Sequence, residues 1–167
     1  SSVIGLGRPD SVLRVRDHLQ NGGSVGILAD RMLGDDKSRD IPLLGEPAPF
    51  PVGPWRLAAM LGAPVVFMAG CYLGGNRYQL VFEPIIDFAQ VPAEKRASAM
   101  QEAQDRFVEL LEARCRQAPW NWFNFYDFWG NEDDGSHSSA TDSPRIVAVV
   151  HADSDAAVAR RPGERRS

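Results

Sequence analysis

Histidine and cysteine are scarce in this 167-residue chain, at three and two residues, and their scarcity removes several kinds of chemistry. Three scattered histidines and two distant cysteines cannot make a zinc site, which needs clustered ligands. Cys71 and Cys115 form no C-x-x-C pair and lie in apolar or helical patterns. They read as buried free thiols in a reducing compartment, not as a disulfide framework. A basic excess is also missing: 18 Lys and Arg against 22 Asp and Glu leave a net charge of −4. Neither half of the chain is the cation that nucleic-acid binding requires. Internal repeats are absent. The opening "SSVIGLG" has no Met, no basic n-region and no cleavage pattern, which speaks against a signal peptide and for a piece of a longer product.

Long uncharged runs are nearly absent too. The exception is "LAAMLGAPVVFMAGCYLGGN", Leu57 to Asn76, flanked by Arg56 and Arg77. Its length suits a membrane span, but Gly62, Ala63 and Pro64 interrupt it. A short helix "PWRLAAML" followed by a β-rich run "VVFMAGCY" fits better than one spanning helix.

What is present is enough for one domain plus a tail, since 44% of the residues are hydrophobic and can build a core. "VIGLG" reads as a short strand and "RPDSVLRVRDHLQNGG" as a helix started by Asp10 or Ser11 and stopped by Gly22-Gly23. "SVGILA" is an apolar strand ending at Asp30-Arg31. The acidic loop "MLGDDKSRD", then "IPLLG", then a Pro-rich loop "EPAPFPVG" lead to a helix at Pro54. The strand Val65 to Tyr72 turns through "GGN" into "RYQLVFEP" as a hairpin. A long helix covers about Ala93 to Gln117. Strands alternating with helices predict an α/β fold, a layered sheet with flanking helices, over residues 1–129. Residues 130–167, rich in Gly, Ser and acid and ending "RRPGERRS", read as a mostly disordered tail. Within it "IVAVVHA" has strand composition but needs a sheet to join.

Several local features carry chemistry, and each has an ordinary structural explanation beside it. "GLGRPDS" offers G-x-G without the third glycine of the dinucleotide fingerprint, so it reads as a turn. His18, beside Arg14 and Asp17, reads as part of a solvated helix face. Asp30 and Arg31 stand at the carboxyl end of a buried strand, where open α/β sheets place ligands; a salt bridge or helix cap explains the pair equally well. Asp35, Asp36 and Asp40 suit a divalent cation, although an acidic surface loop accounts for them more simply. In "FPVGPWRLA", Gly53 permits close backbone approach, Pro54 suits the first helical position, and Arg56 projects from the first turn. That combination makes an anion site at a helix N-terminus; taken alone, an ordinary Gly-Pro helix start with a surface Arg fits better.

The order of blocks changes that balance. "VGILADR", "IPLLGEPAPFPVGPWRLAAMLGAPVVFM", "CYLGGNRYQLVFEP", a helix and "APWNWFNFYDFW" together resemble the C-terminal part of bacterial lysophospholipid acyltransferase superfamily proteins. The likeness is to the lipid A biosynthesis (late) acyltransferase group, especially relatives ending in a "WFNFYDFW"-like signature, and covers roughly residues 1–129. The resemblance implies a glycerolipid acyltransferase-like fold. It also implies acyl transfer from a thioester, on acyl carrier protein or coenzyme A, to a hydroxyl of a lipid or glycolipid, with no further cofactor and no metal. Its aspartate after the "VGILAD"-type strand falls on Asp30, in a supporting catalytic role. Its acceptor head-group region falls on Phe50, Gly53 and Arg56, with Arg31 as a neighbouring substrate-binding candidate. The resemblance further implies a membrane-surface protein at the cytoplasmic face of the bacterial inner membrane, peripheral or anchored through a missing N-terminal part.

One departure matters. In such enzymes a histidine acts as general base and an acid five positions on orients it, in an H-x-x-x-x-D/E motif. No such motif precedes these blocks here: His18 is followed by "LQNGG". The one formal match, His137 to Asp142 in "HSSATD", lies after all the other blocks in a Ser-rich segment, and is rejected as a dyad. The expectation is an acyltransferase portion inactive by itself. Two alternatives stand beside it: a non-catalytic lipid-binding or interaction module, and a metal-dependent glycosyltransferase-like domain using Asp30 and the "GDDKSRD" loop.

The segment "PWNWFNFYDFWG" concentrates the aromatic residues. Asn121, Asn124 and Asp127 recur every three residues, while Trp122, Phe125, Tyr126 and Trp129 follow helical spacing. A short helix with an aromatic face docked on the sheet is expected, its main work core packing, with Trp and Tyr edges at a membrane interface as the alternative.

Overall fold

Helix α1 (Pro9–Gln20) buries Val15 and Leu19, four residues apart and therefore on one face. It ends where Gly22 takes a positive φ of 75°, a conformation only glycine adopts without strain. In this computed structural model residues 9–32, 37–122, 128–129 and 147–151 are described; the expected strand at 3–7, residues 33–36 of the acidic loop and all of the tail except 147–151 lie outside them. His18 has a local task. Its Nε2 lies 3.2 Å from Ser24 O, and its ring covers Gly23 so closely that a Cβ there would stand 2.4 Å from it. The histidine thus shapes the passage from α1 into the strand β1 (Ser24–Leu28).

The Pro-rich segment is a strand, not a loop. β2 (Ser38–Leu43) and β3 (Glu46–Pro51) form an antiparallel two-stranded sheet. Pro47, Pro49 and Pro51 alternate, so their missing N–H groups all fall on one edge of β3 and the ladder runs through Ala48 and Phe50, opposite Ile41 and Arg39. The same alternation buries Ala48 and Phe50 completely. At the turn Leu44 takes φ 57° and Gly45 φ 101°, the left-handed pair a two-residue hairpin requires. Glu112 accepts the Leu44 N–H at 2.8 Å. That hydrogen bond and Arg116 hold the Glu112 carboxyl below its ordinary range.

The uncharged run divides as its composition predicts. Helix α2 (Gly53–Leu61) stops at Gly62, which is left-handed at φ 64°, and Ala63 N donates back to Ala58 O at 3.0 Å in the manner of a glycine C-cap. Strand β4 (Pro64–Tyr72) follows and pairs with β5 (Tyr78–Asp87). No helix among the described residues is long and apolar enough to cross a membrane.

The larger sheet has the order β1-β6-β4-β5, where β6 (Val147–His151) pairs antiparallel with β1 and with β4. The tail strand therefore finds the sheet it needs, and β1 and β4 run parallel with one strand between them. Pro84 is tolerated because β5 is an edge strand, and a register shift between Val65 and Val66 accommodates the bulge opposite. The arrangement is mixed α/β, with two small sheets and three α-helices among the described residues.

One face of β4 carries Val65, Phe67 and Ala69, all buried, towards helix α3 (Arg96–Gln117). Phe107 on α3 is the centre of this core. Its ring meets Trp55 and Phe67 edge-on, both at 5.6 Å, within the range that favours aromatic pairs. Arg96, at the start of α3, donates to Ala59 O at 3.1 Å and so ties α2 to α3 at a helix-end carbonyl that Gly62 N also reaches at 3.3 Å. Phe107→Ala should lower stability by about 3–5 kcal/mol in urea unfolding, whereas Leu13→Ala, on the exposed side of α1, should change it by less than about 0.5 kcal/mol. Equal losses from both would contradict this placement of the core.

Candidate functional site

Asp30 lies two residues beyond the end of β1 and is 2% exposed. Trp122 Nε1 donates to its Oδ2 at 3.5 Å, while Oδ1 is buried and has no partner among the described residues. Burial pushes the Asp30 carboxyl above its ordinary value, and the neighbouring Arg31 guanidinium and the Trp122 N–H pull the other way. An oxygen sealed from water without a donor is costly. Oδ1 is thus able to accept one more donor.

Trp122 belongs to an aromatic chain. Its ring meets Phe128 at 5.0 Å and Trp129 at 6.0 Å, and Phe128 meets Phe50 edge-on at 5.7 Å. The aromatic segment thus connects Asp30, at the end of one sheet, to Phe50, on the other. The helix expected over residues 119–130 is not continuous. A single 3₁₀ turn (Pro119–Asn121) is followed by Trp122 in an extended conformation, because Trp122 must swing back to reach Asp30 and Phe128. Residues 123–127 lie outside the described region. Trp122, Phe128 and Trp129 pack with the core, while Trp120 is 87% exposed.

Phe50 is wholly buried, so its place in this region is beneath the surface. Gly53 and Arg56 stand exposed on the first turn of α2. No side chain caps this helix end, and Pro54 occupies its first turn as expected. Arg56 makes no side-chain hydrogen bond or ion pair among the described residues. An uncapped helix N-terminus beside an uncommitted guanidinium is suited to an anion. Arg31 is half-buried and engaged in an interaction.

Residues that the sequence did not single out hold these parts together. Gln104 on α3 is 2% exposed; its Nε2 donates to Pro51 O at 3.1 Å and Phe50 O at 3.4 Å, and its Oε1 accepts from Arg39 Nε at 3.1 Å. Arg39 also pairs with Asp105. This clamp sets the end of β3, and with it the start of α2. Asn121 does the same for β4: its Oδ1 accepts from Tyr72 N at 2.6 Å and its Nδ2 donates to Tyr72 O at 3.4 Å. The helical spacing of Gln104 from Met100, Phe107 and Val108 was the available signal for the first clamp.

Cys71 and Cys115 are free and line a small cavity of about 10 Å³ with Gly70, Arg114, Asn121 and Trp122, room for about one water. Burial, with the Asp30 charge adding to it, pushes the Cys115 thiol up to about 12, so it is not a nucleophile at neutral pH. A separate open groove of about 470 Å³ between β2 and α3 is edged by Asp105, Glu109 and Glu112, already paired with Arg39, Arg106 and Arg116. No group of three or more His, Cys, Asp or Glu suited to a metal occurs among the described residues. Asp40 is exposed; Asp35, Asp36, His137 and Asp142 lie outside them.

Folded, Asp30 retains its proton to a higher pH than the ordinary 3.8. Between those two values the folded chain binds more protons than the unfolded one, so stability falls as pH rises through that window. Asp30→Asn keeps an acceptor for Trp122 and does not titrate. The melting temperature of the native chain should therefore drop relative to Asp30→Asn as pH rises from acid to neutrality; parallel profiles would contradict the assignment.

Residues 7–130 match the sequence profile described as "Bacterial lipid A biosynthesis acyltransferase". Neither the curated proteins nor the solved structures contain a significant match to the chain.

Proposed function

The chain belongs to the bacterial lipid A biosynthesis acyltransferase family, and from that premise we propose that it carries the acceptor-binding and supporting part of an acyl-transfer site. In the reaction, an acceptor hydroxyl oxygen attacks the carbonyl carbon of an acyl thioester. The C–S bond breaks, an ester forms, and the hydroxyl proton passes through a general base to the departing thiolate. The donor is an acyl group on acyl carrier protein or coenzyme A, and the acceptor is a lipid or glycolipid. The site belongs at the cytoplasmic face of the inner membrane, within the layered sheet of a glycerolipid acyltransferase-like fold.

In this proposal Asp30 is a positioning residue. Its unpartnered buried Oδ1 is the observation that supports the role most directly, since a carboxylate held there can orient an imidazole or a hydroxyl donor. The uncapped first turn of α2 with Gly53 and Arg56 binds the phosphate or other anionic group of the acceptor, Phe50 supports that turn from below, and Arg31 lies beside Asp30 for the same substrate. The general base is not in this chain ahead of these blocks. The chain by itself therefore binds acceptor without turning it over, which also favours a lipid-binding module as the second reading.

Purified 1–167 should release no thiol from an acyl thioester in the presence of a lysolipid. Turnover abolished by His137→Ala would reverse the rejection of the tail motif. Short-chain lysophosphatidic acid should bind, and Arg56→Ala should weaken it about tenfold, the worth of one charge-assisted contact. Unchanged affinity in that variant removes Arg56 from the head-group site.

A further inference from the structure

The side of the larger sheet away from α3 is apolar and open along the β4–β5 hairpin. Tyr78, Leu80 and Phe82 alternate onto it and are 62%, 63% and 56% exposed, and Tyr72 and Leu73 at the end of β4 are 46% and 54% exposed. Most of the large exposed apolar side chains of the described chain are thus gathered in this hairpin, where scattered ones would need no explanation. The Tyr72 and Tyr78 rings lie 5.3 Å apart across the ladder. Leu80 crosses Gly70, where an added Cβ would stand 3.6 Å from it. Asn121 grips both backbone groups of Tyr72, which brings the turn bearing the 87% exposed Trp120 to the same end of the sheet.

The charge pattern says what kind of partner suits this end. From Leu57 to Phe82 the chain carries one charge, Arg77, in the hairpin turn, although the chain as a whole is acidic at −4. Glu83, the next acid, faces the other way and pairs with Arg114 at 3.4 Å. Tyr and Trp with leucine around one cation, in a stretch without an acidic residue from Leu57 to Phe82, match the boundary between headgroups and acyl chains of an anionic bilayer. A protein partner of ordinary composition would leave no reason for the carboxylates to be excluded.

We propose that the β4–β5 turn is a shallow bilayer-docking surface, in which Tyr72, Leu73, Tyr78 and Trp120 enter the headgroup boundary and Arg77 meets lipid phosphate. The depth is limited by the backbone. β5 is an edge strand with unpaired N–H and C=O groups, which hydrocarbon does not accept; only side chains at the turn enter. The surface would bring the α2 head-group site to lipid, but its existence does not depend on acyl transfer and is measured without an acyl donor.

Sedimentation of the full chain with vesicles tests it. Phosphatidylcholine vesicles containing phosphatidylglycerol should carry the protein down, and pure phosphatidylcholine should do so more weakly. Leu73→Asp should reduce binding to both by tenfold or more. Arg77→Gln should reduce binding about fivefold on the anionic vesicles only, and circular dichroism should show both variants folded. Trp120→Phe should remove most of the blue shift in tryptophan emission on binding. No sedimentation with either vesicle, or equal binding by the folded Leu73→Asp variant, overturns the proposal. So does a concentration-dependent dimer lost in Leu73→Asp without vesicle binding, which would assign the surface to a second copy. Loss of lysolipid binding in Arg56→Ala with vesicle binding retained would separate the two sites.

Discussion

A carboxylate sealed at the end of β1 has to be solvated by protein, and the contact between Asp30 and Trp122 is where that demand is met. The indole supplies one donor at 3.5 Å, and the other oxygen has none among the described residues. To deliver that donor the chain must turn out of its 3₁₀ turn immediately after α3 and run extended through Trp122. Phe128 and Trp129 then close over the indole. The cost of an unpartnered buried oxygen is of the same order as a fair share of a domain's net stability.

From that contact the geometry spreads in two directions. Through Phe128 it reaches Phe50, and there the Gln104 clamp takes over, fixing the end of β3 and the first turn of α2 from the side of α3. Through Asn121 it reaches Tyr72 and the end of β4. Trp122 and Phe128 thus brace the two sheets and the end of α3 against one another. The same brace that positions Asp30 also positions the exposed Trp120, so the interior site and the lipid-facing turn share one short stretch of chain.

Much of this was legible in the linear pattern. The helices α1, α2 and α3, the division of the uncharged run at Gly62, the hairpin around Gly74-Gly75 and the family blocks all rest on residues close in sequence. Two expectations failed for a shared reason. The segment 46–51 was expected to be a loop because it is rich in proline, but alternate prolines leave one edge of a strand intact, and β2 supplies the partner. The aromatic run has helical spacing, but Trp122 is extended and bonded to a buried acid 92 residues away in sequence, with residues 123–127 outside the described region. Burial of the candidates was equally invisible: the strand end and the family resemblance mark Asp30 and Phe50 without saying that both lie under the surface.

By itself, then, the sequence determined the local elements, the family and the residue types available for chemistry, because periodicity, caps and turn residues act over a few positions. Only the tertiary structure decided that Gln104 and Asn121 are the clamps, that Trp122 serves Asp30, that residues 147–151 lie between β1 and β4, and that the β4–β5 turn stays bare. Each of those is a pairing across a long stretch of chain. What selects such pairings is the competition among buried polar groups for donors and acceptors and among apolar faces for cover, and it is settled only when the whole chain is packed.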